Sequence, residues 1–367
     1  MNITFRTDAS FEIGTGHVMR CLTLARALRE RGAECHFITR ELPGHMAEQI
    51  AAERFDVTLF PASIGQVSES PPAHAHWARV CWEQDAEETR TVLDAIQPDW
   101  LVMDHYAFDA RWQTAARPKN TRLTVVDDLA DRLHDCELLL DQNLGHEAHY
   151  YDGLVPDRCV RLIGPRYALL RPEFAAARSK ALADREGRGL RNLLITMGGV
   201  DQADATSTVL SVLRNAILPE GLHITVIMGA NAPALDRVRV LAEEMPRSTM
   251  VAVGVADMAA HMAHADLAIS AAGGTTWERC CLGLPGIIVE TAENQAGIAQ
   301  AMAEAGAAFD PGPLTAADFV LALQTALSEA SDVALLDALS ENAAAICDGD
   351  GVARVVAALE IGCLHED

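Results

Sequence analysis

The sequence predicts an α/β protein made of two Rossmann-like, doubly wound domains facing a cleft. Three observations predict it. Strand-like and helix-like segments alternate along most of the chain. Glycine turns stand between a strand and a helix in both halves, at Gly14–Gly16, Gly198–Gly199 and Gly273–Gly274. The chain has 367 residues, the length of two domains of roughly 150 to 200 residues each.

In chain order, Asn2 to Thr7 reads as a strand and Gly14-Thr15-Gly16 as a loop. A helix follows from about His17 to Arg31, with Val18, Cys21, Leu22, Leu24, Ala25 and Leu28 near a 3.6 period and Gly32 as its stop. Further strands are expected at 34–38, 56–60, 100–104, 122–127, 138–141 and 159–163, with helical segments between most of them. Gly164-Pro165, Arg171-Pro172 and a charged run from Arg178 to Arg188 interrupt this rhythm. The expected division is a first domain over 1–164, a linker over 165–190 and a second domain over 191–345. In the second domain, strands are expected at 192–197, 223–228, 250–253, 267–270 and 286–290. Helices are expected from about 203, near 257–264, at 275–282 and from 294, and the Ala-rich chain after Thr315 reads as helical.

Composition excludes several classes. With 29 Lys+Arg against 52 Asp+Glu, the net charge of −23 would repel a phosphate backbone, so no nucleic-acid partner is expected. Residues 191–367 carry only 7 basic side chains against 23 acidic. An anion bound there must be met mainly by backbone N–H groups and helix N-termini. The nine cysteines form no CxxC pair, which is the usage of reduced thiols in a cytoplasmic protein. No apolar run approaches the ~18 residues of a membrane span and the first residues have no signal architecture, so neither membrane insertion nor export is expected. No HExxH, DxDxDG, GxSxG or GxxxxGK[ST] motif occurs, and the histidine pairs lack a matching ligand set, so no metal or cofactor is expected.

Five segments carry candidate chemistry. The first is Asp8 to His17, DASFEIGTGH, in which Gly14 and Gly16 let the backbone approach a ligand at a helix start. Arg20 occupies no third-glycine position, so this is not a dinucleotide fingerprint. His17 at the helix N-terminus sits where partial positive charge favours a neutral ring, the form a general base needs. It would also read as a partly exposed helix start. Asp8 would orient that ring, receive charge or cap a turn.

The second segment, Asp104-His105-Tyr106, follows a strand, where polar residues face the cleft of such a fold. A capping acid and a half-buried tyrosine would look the same. The third, Met197-Gly198-Gly199-Val200-Asp201, is a turn for a phosphate or a helix start. The fourth, Ser270 to Glu278, runs a strand into Gly273-Gly274-Thr275, an anion cradle without lysine. Glu278 one turn on suits a ribose diol or a capping box. The fifth places Asn294 and Gln295 at a helix start, as caps or as sugar-reading amides.

Together these segments resemble the UDP-sugar hydrolases of pseudaminic (nonulosonic) acid biosynthesis, which act on UDP-2,4-diacetamido-2,4,6-trideoxy-β-L-altropyranose. More broadly they resemble nucleotide-sugar enzymes of the GT-B fold. The resemblance runs nearly end to end, through RTDASFEIGTGHVMRCLTLARAL at 6–28, WEQDAEET at 82–89, VMDHYAFD at 102–109, VVDDLADR at 125–132, LLDQNL at 139–144, GPRYALLRPEF at 164–174, ITMGGVD at 195–201, SAAGGTTWE at 270–278 and ENQ at 293–295. It implies a UDP-sugar substrate, His17 as catalytic histidine, a glycine loop at Gly14 and Gly16, and Tyr106 near the sugar. It further implies a uridine-diphosphate segment at Gly273, Gly274, Thr275 and Glu278, Asn294 facing the substrate, and a C-terminal helix over 346–367 that crosses back to the first domain. The implied reaction is metal-independent attack of water at the anomeric carbon with UDP leaving. The rival readings are a GT-B glycosyltransferase with a soluble acceptor, a UDP-sugar epimerase, and a silent nucleotide-sugar binding module.

Overall fold

The computed structural model describes residues 1–62, 71–292 and 295–364. The chain forms two compact units, one of Met1–Leu169 with Gly351–Asp367 and one of Leu170–Asp350.

The first unit holds β1 (Asn2–Thr7), α1 (Gly16–Glu30), β2 (Glu34–Arg40), α2 (Ala47–Ala52), β3 (Asp56–Phe60), α3 (Trp82–Ile96), β4 (Trp100–Asp104), α4 (Ala110–Ala116), β5 (Arg122–Val126), β6 (Leu138–Asp141) and β7 (Val160–Ile163). Its seven strands run in the order β3-β2-β1-β4-β5-β6-β7, every pairing parallel. A parallel sheet is covered on both faces, so its strands read as near-continuous apolar runs. Trp100-Leu101-Val102-Met103 is such a run, and the pleat sends its side chains alternately to two cores. Val102 joins Ile3, Phe5, Val18 and Leu22 under α1, while Leu101 and Met103 join Leu93 and Trp112 under α3 and α4.

The second unit holds α5 (Pro172–Arg185), β8 (Asn192–Thr196), α6 (Ala205–Asn215), β9 (His223–Met228), α7 (Leu235–Glu243), β10 (Ser248–Val253), α8 (Met258–His264), β11 (Leu267–Ala271), α9 (Gly274–Cys281), β12 (Gly286–Val289), α10 (Ala296–Glu304), β13 (Ala308–Phe309), α11 (Phe319–Glu329) and α12 (Val333–Ile346). Six parallel strands run β10-β9-β8-β11-β12-β13.

In each sheet the strand order reverses next to the first strand of the unit, between β1 and β4 and between β8 and β11. That reversal leaves an opening at the C-terminal ends of the strands where ligands sit in such folds.

Helix α7, strand β13 and helix α5 are not among the elements expected from the sequence. Much of 165–190 is helix α5, opened by Pro172 in its first turn, with Phe174 and Ala181 buried. Its charge has structural use: Arg178 donates to the carbonyls of Cys281 (2.6 Å), Ala344 (2.7 Å) and Cys347 (3.0 Å), and Arg185 to those of Ala265 and Met262. These arginines satisfy orphan carbonyls at helix ends. The Ala-rich tail is three helices, the last being α13 (Gly351–Leu364), whose Val355, Val356 and Leu359 enter the first unit's core beside α1. Among the described residues no single helix is long and apolar enough to cross a membrane.

Candidate functional site

Because every strand of the first unit is parallel, their C-terminal ends lie on one edge of the sheet, and the polar residues there gather by strand adjacency. β1 feeds the glycine loop and α1, and its neighbour β4 ends in Asp104. Gly14 adopts φ +80°, a left-handed conformation that favours glycine, and its N–H closes the loop onto the Ser10 carbonyl at 2.8 Å. Ser10 Oγ accepts from the Ile13 N–H (2.9 Å), and Gly16 opens α1. His17 is therefore the second residue of the helix.

Its Nδ1 meets Asp104 Oδ1 at 2.6 Å. Arg20, one turn along α1, grips both oxygens of the same carboxylate, Nε to Oδ2 and Nη2 to Oδ1, each at 2.6 Å. Asp104 is fully buried. Burial pushes its carboxyl up, but the Arg20 guanidinium and then the His17 ring outweigh this and hold it well below the usual carboxylate range. An ionised carboxylate only accepts, so Nδ1 carries the hydrogen of this bond, and in the neutral tautomer that bond selects, Nε2 is the bare nitrogen.

Tyr106 packs edge-on to His17 with ring centroids 4.7 Å apart, and its hydroxyl donates to Asp128. Trp77 stacks on Tyr106 at 5.5 Å, and His74 lies 4.7 Å from Trp77. Glu12 of the glycine loop pairs with His76 (3.1 Å) and Arg79, tying the loop to the turn that carries Trp77.

Asp8 does not reach His17. It forms an ion pair with Arg6 at 2.7 Å, accepts from the Arg40 N–H (2.7 Å) and Thr39 Oγ1 (3.1 Å), and meets His105 Nε2 at 3.2 Å. The reason is charge balance: Arg6 and Arg40 are fully buried and take Asp8 and Asp85 as counter-ions.

In the second unit, Gly198 has φ +85° and turns the chain after β8. A Cβ at Gly198, Gly199, Gly273 or Gly274 would meet nothing within 4 Å, so all four backbones face open space. At Gly229 a Cβ would fall 2.1 Å from the Gly199 carbonyl oxygen, so the loop after β9 braces the loop after β8. Asp201 is a cap, accepting from the Ala205 (3.0 Å) and Thr206 (2.9 Å) N–H groups. At the start of α9 the Gly273 N–H donates to Thr276 Oγ1 at 3.3 Å. Thr276, not Glu278, thus does the capping at this helix start.

Glu278 lies 3.6 Å from Arg171. Burial raises its carboxyl to about 7 against the pull of that guanidinium. Gln295 turns its carboxamide oxygen to the Thr291 N–H (2.9 Å) and hydroxyl (3.1 Å), closing the turn before α10. Asn294 lies outside the described residues.

Thus the first unit brings His17, Gly14, Gly16 and Tyr106 together and turns Asp8 away. The sequence reading missed Arg20, Asp128 and the pairing of Asp104 with His17. The spacing of His17 and Arg20, three apart on a helix, was the available signal, since such residues share a face.

Comparison with known proteins follows the same lines. A model of the glycosyltransferase family 28 C-terminal domain matches residues 192–310. The spore coat polysaccharide biosynthesis protein SpsG of Bacillus subtilis is 25% identical over 98% of both chains. The UDP-2,4-diacetamido-2,4,6-trideoxy-β-L-altropyranose hydrolase of Campylobacter jejuni is 24% identical over 66% of this chain and 75% of its own. Among solved structures, MurG of Acinetobacter baumannii superposes with a TM-score of 0.71 at 15% identity, covering 98% of this chain and 99% of its own. The fold is GT-B, and the chain is a distant relative of the Bacillus and Campylobacter proteins.

Proposed function

We propose that the protein hydrolyses a UDP-sugar, UDP-2,4-diacetamido-2,4,6-trideoxy-β-L-altropyranose, to UDP and free sugar in pseudaminic acid biosynthesis. The observation that carries the reading is the His17–Asp104–Arg20 arrangement. It fixes an imidazole by Nδ1 at the reversal point of the sheet and leaves Nε2 to accept a proton. Nε2 takes a proton from water as the water oxygen bonds to the anomeric carbon. The bond from that carbon to the phosphate oxygen breaks, and UDP departs with the electron pair. A diphosphate is a good leaving group, and the N–H groups at Gly198-Gly199 and Gly273-Gly274-Thr275 stabilise its charge without a lysine. Glu278 accepts the ribose hydroxyls. Kinship with the Campylobacter hydrolase supports this substrate.

A glycosyltransferase with a soluble acceptor is the second reading, favoured by the family 28 match over residues 192–310. The two separate on acceptor dependence: purified protein releasing UDP and free sugar without any acceptor supports hydrolysis, and release that requires an acceptor refutes it.

A further inference from the structure

The turn just before α3 carries an indole that the proposed reaction leaves without a task. Trp77 belongs to a single helical turn, Ala75–Ala78, whose Ala78 is buried with Val80 in the core under α3 and α4, and one side of the indole rests on that core. Trp100, Trp112 and Trp277 are buried, and the half-buried Trp82 has the Arg111 guanidinium over its ring at 5.4 Å. Trp77 is half-buried as well, but the groups beside it are the rings of the His17 site.

Centroid to centroid, the indole lies 6.3 Å from the His17 ring at 83° and 5.5 Å from Tyr106 at 27°. His74 at 4.7 Å and His76 at 6.3 Å meet it in T-shaped contacts. Glu12 holds this spacing, because it belongs to the glycine loop before His17 and pairs with His76 and Arg79, which flank Trp77 in the chain. Tyr106 is fixed in turn by its hydroxyl bond to Asp128. The indole is thereby held beside an imidazole whose Nδ1 is taken by Asp104.

We infer that Trp77 is a sugar-binding residue of the His17 site, its indole forming the wall against which a deoxygenated acylamino sugar carried on UDP packs its C–H bonds. This rests on the reading of the protein as a UDP-sugar enzyme. A water activated by His17 lies about 3 Å from the ring nitrogen and about as far again from the anomeric carbon. The sugar therefore comes within about 6 Å of the imidazole, a separation like that of the indole itself. Tyr106 lies against one face of the indole, and the part that stays exposed is what a sugar meets. The sugar of the proposed substrate keeps a single free hydroxyl, at C3, and carries a methyl group at C6, so it offers much C–H surface and little to hydrogen-bond. The electron-rich face of an indole attracts such C–H bonds and removes them from water.

The test measures binding in a His17→Gln background, where substrate persists and a side chain still fills the place of the imidazole. UDP and UDP-2,4-diacetamido-2,4,6-trideoxy-β-L-altropyranose are titrated by calorimetry with Trp77 intact, as Ala and as Phe. Trp77→Ala is expected to weaken binding of the diacetamido compound by about tenfold or more and to leave UDP binding unchanged, with most of the loss restored in Trp77→Phe, which keeps an aromatic face. The diacetamido compound is also expected to change tryptophan fluorescence beyond the change UDP gives, and Trp77→Phe to lose that excess. An indole that only supports Tyr106 would give no such signal.

Equal affinity for the diacetamido compound in all three proteins, an equal loss for UDP, or the same fluorescence change with both ligands overturns the inference. A diacetamido compound bound no better than UDP with Trp77 intact also overturns it. Melting and near-UV circular dichroism establish that the variants fold; if Trp77→Ala does not, the intact and Phe proteins carry the fluorescence comparison. With His17 restored, hydrolysis at an unchanged KM in Trp77→Ala overturns the inference and leaves the hydrolase reading standing. Binding through Trp77 without hydrolysis refutes the hydrolase reading and leaves this inference standing.

Discussion

His17 is placed by a glycine loop and aimed by a carboxylate 87 residues away in the chain. Replacing it with Ala should lower turnover by about 10² or more while UDP binding persists; near-normal turnover in a folded variant would remove it from the mechanism. Asp104→Asn can no longer fix the ring through an ionised acceptor, and a misplaced base should lose roughly 10- to 100-fold in kcat with little change in UDP affinity. Glu278 gives a pH signature. Its carboxyl is raised to about 7, and the ionised form is the one that accepts two ribose hydroxyls. Affinity for a UDP-sugar, whose diphosphate has no proton to lose in this range, should therefore rise as pH climbs through that value more than it does in Glu278→Gln; parallel profiles would show that the ribose is held elsewhere. His17 was legible because loop, histidine and helix face are contiguous in the sequence. Its partner was not, because the adjacency of β1 and β4 is a property of strand order, and Asp8, one residue beyond β1, was the nearer candidate.

At the scale of elements, the bracing of two loops decides the shape of the proposed diphosphate cradle. A side chain at Gly229 would meet the Gly199 backbone at 2.1 Å, where neither partner can yield cheaply. Gly229→Ala should displace the loop after β8 and weaken UDP binding by about tenfold or more, about 1.4 kcal/mol, with the His17 site intact; unchanged affinity would show that this loop does not hold the nucleotide. The alternation of strands and helices was legible to within a few residues because buried parallel strands and amphipathic helices differ in period and length. Helix α5 was not, because arginines that cap distant carbonyls look in sequence like a charged linker. The two-residue β13 is too short to carry a periodic signal.

At the scale of the whole molecule, the chain leaves the first unit at Leu169 and returns to it at Gly351. α13 contributes Val355, Val356 and Leu359, all buried, to the core under α1. At about 1.5 to 3 kcal/mol for each buried side chain, their loss rivals the stability of a domain. Truncation after Asp350 should abolish the first unit's melting transition, whereas an unchanged transition would show that α13 adds little. The reaction itself is tested most directly by incubating the purified protein with UDP-2,4-diacetamido-2,4,6-trideoxy-β-L-altropyranose in EDTA, without acceptor, and following proton NMR. The account predicts that UDP and the free diacetamido sugar appear together and that His17→Ala abolishes both signals. Intact substrate in the presence of folded, UDP-binding protein would contradict it.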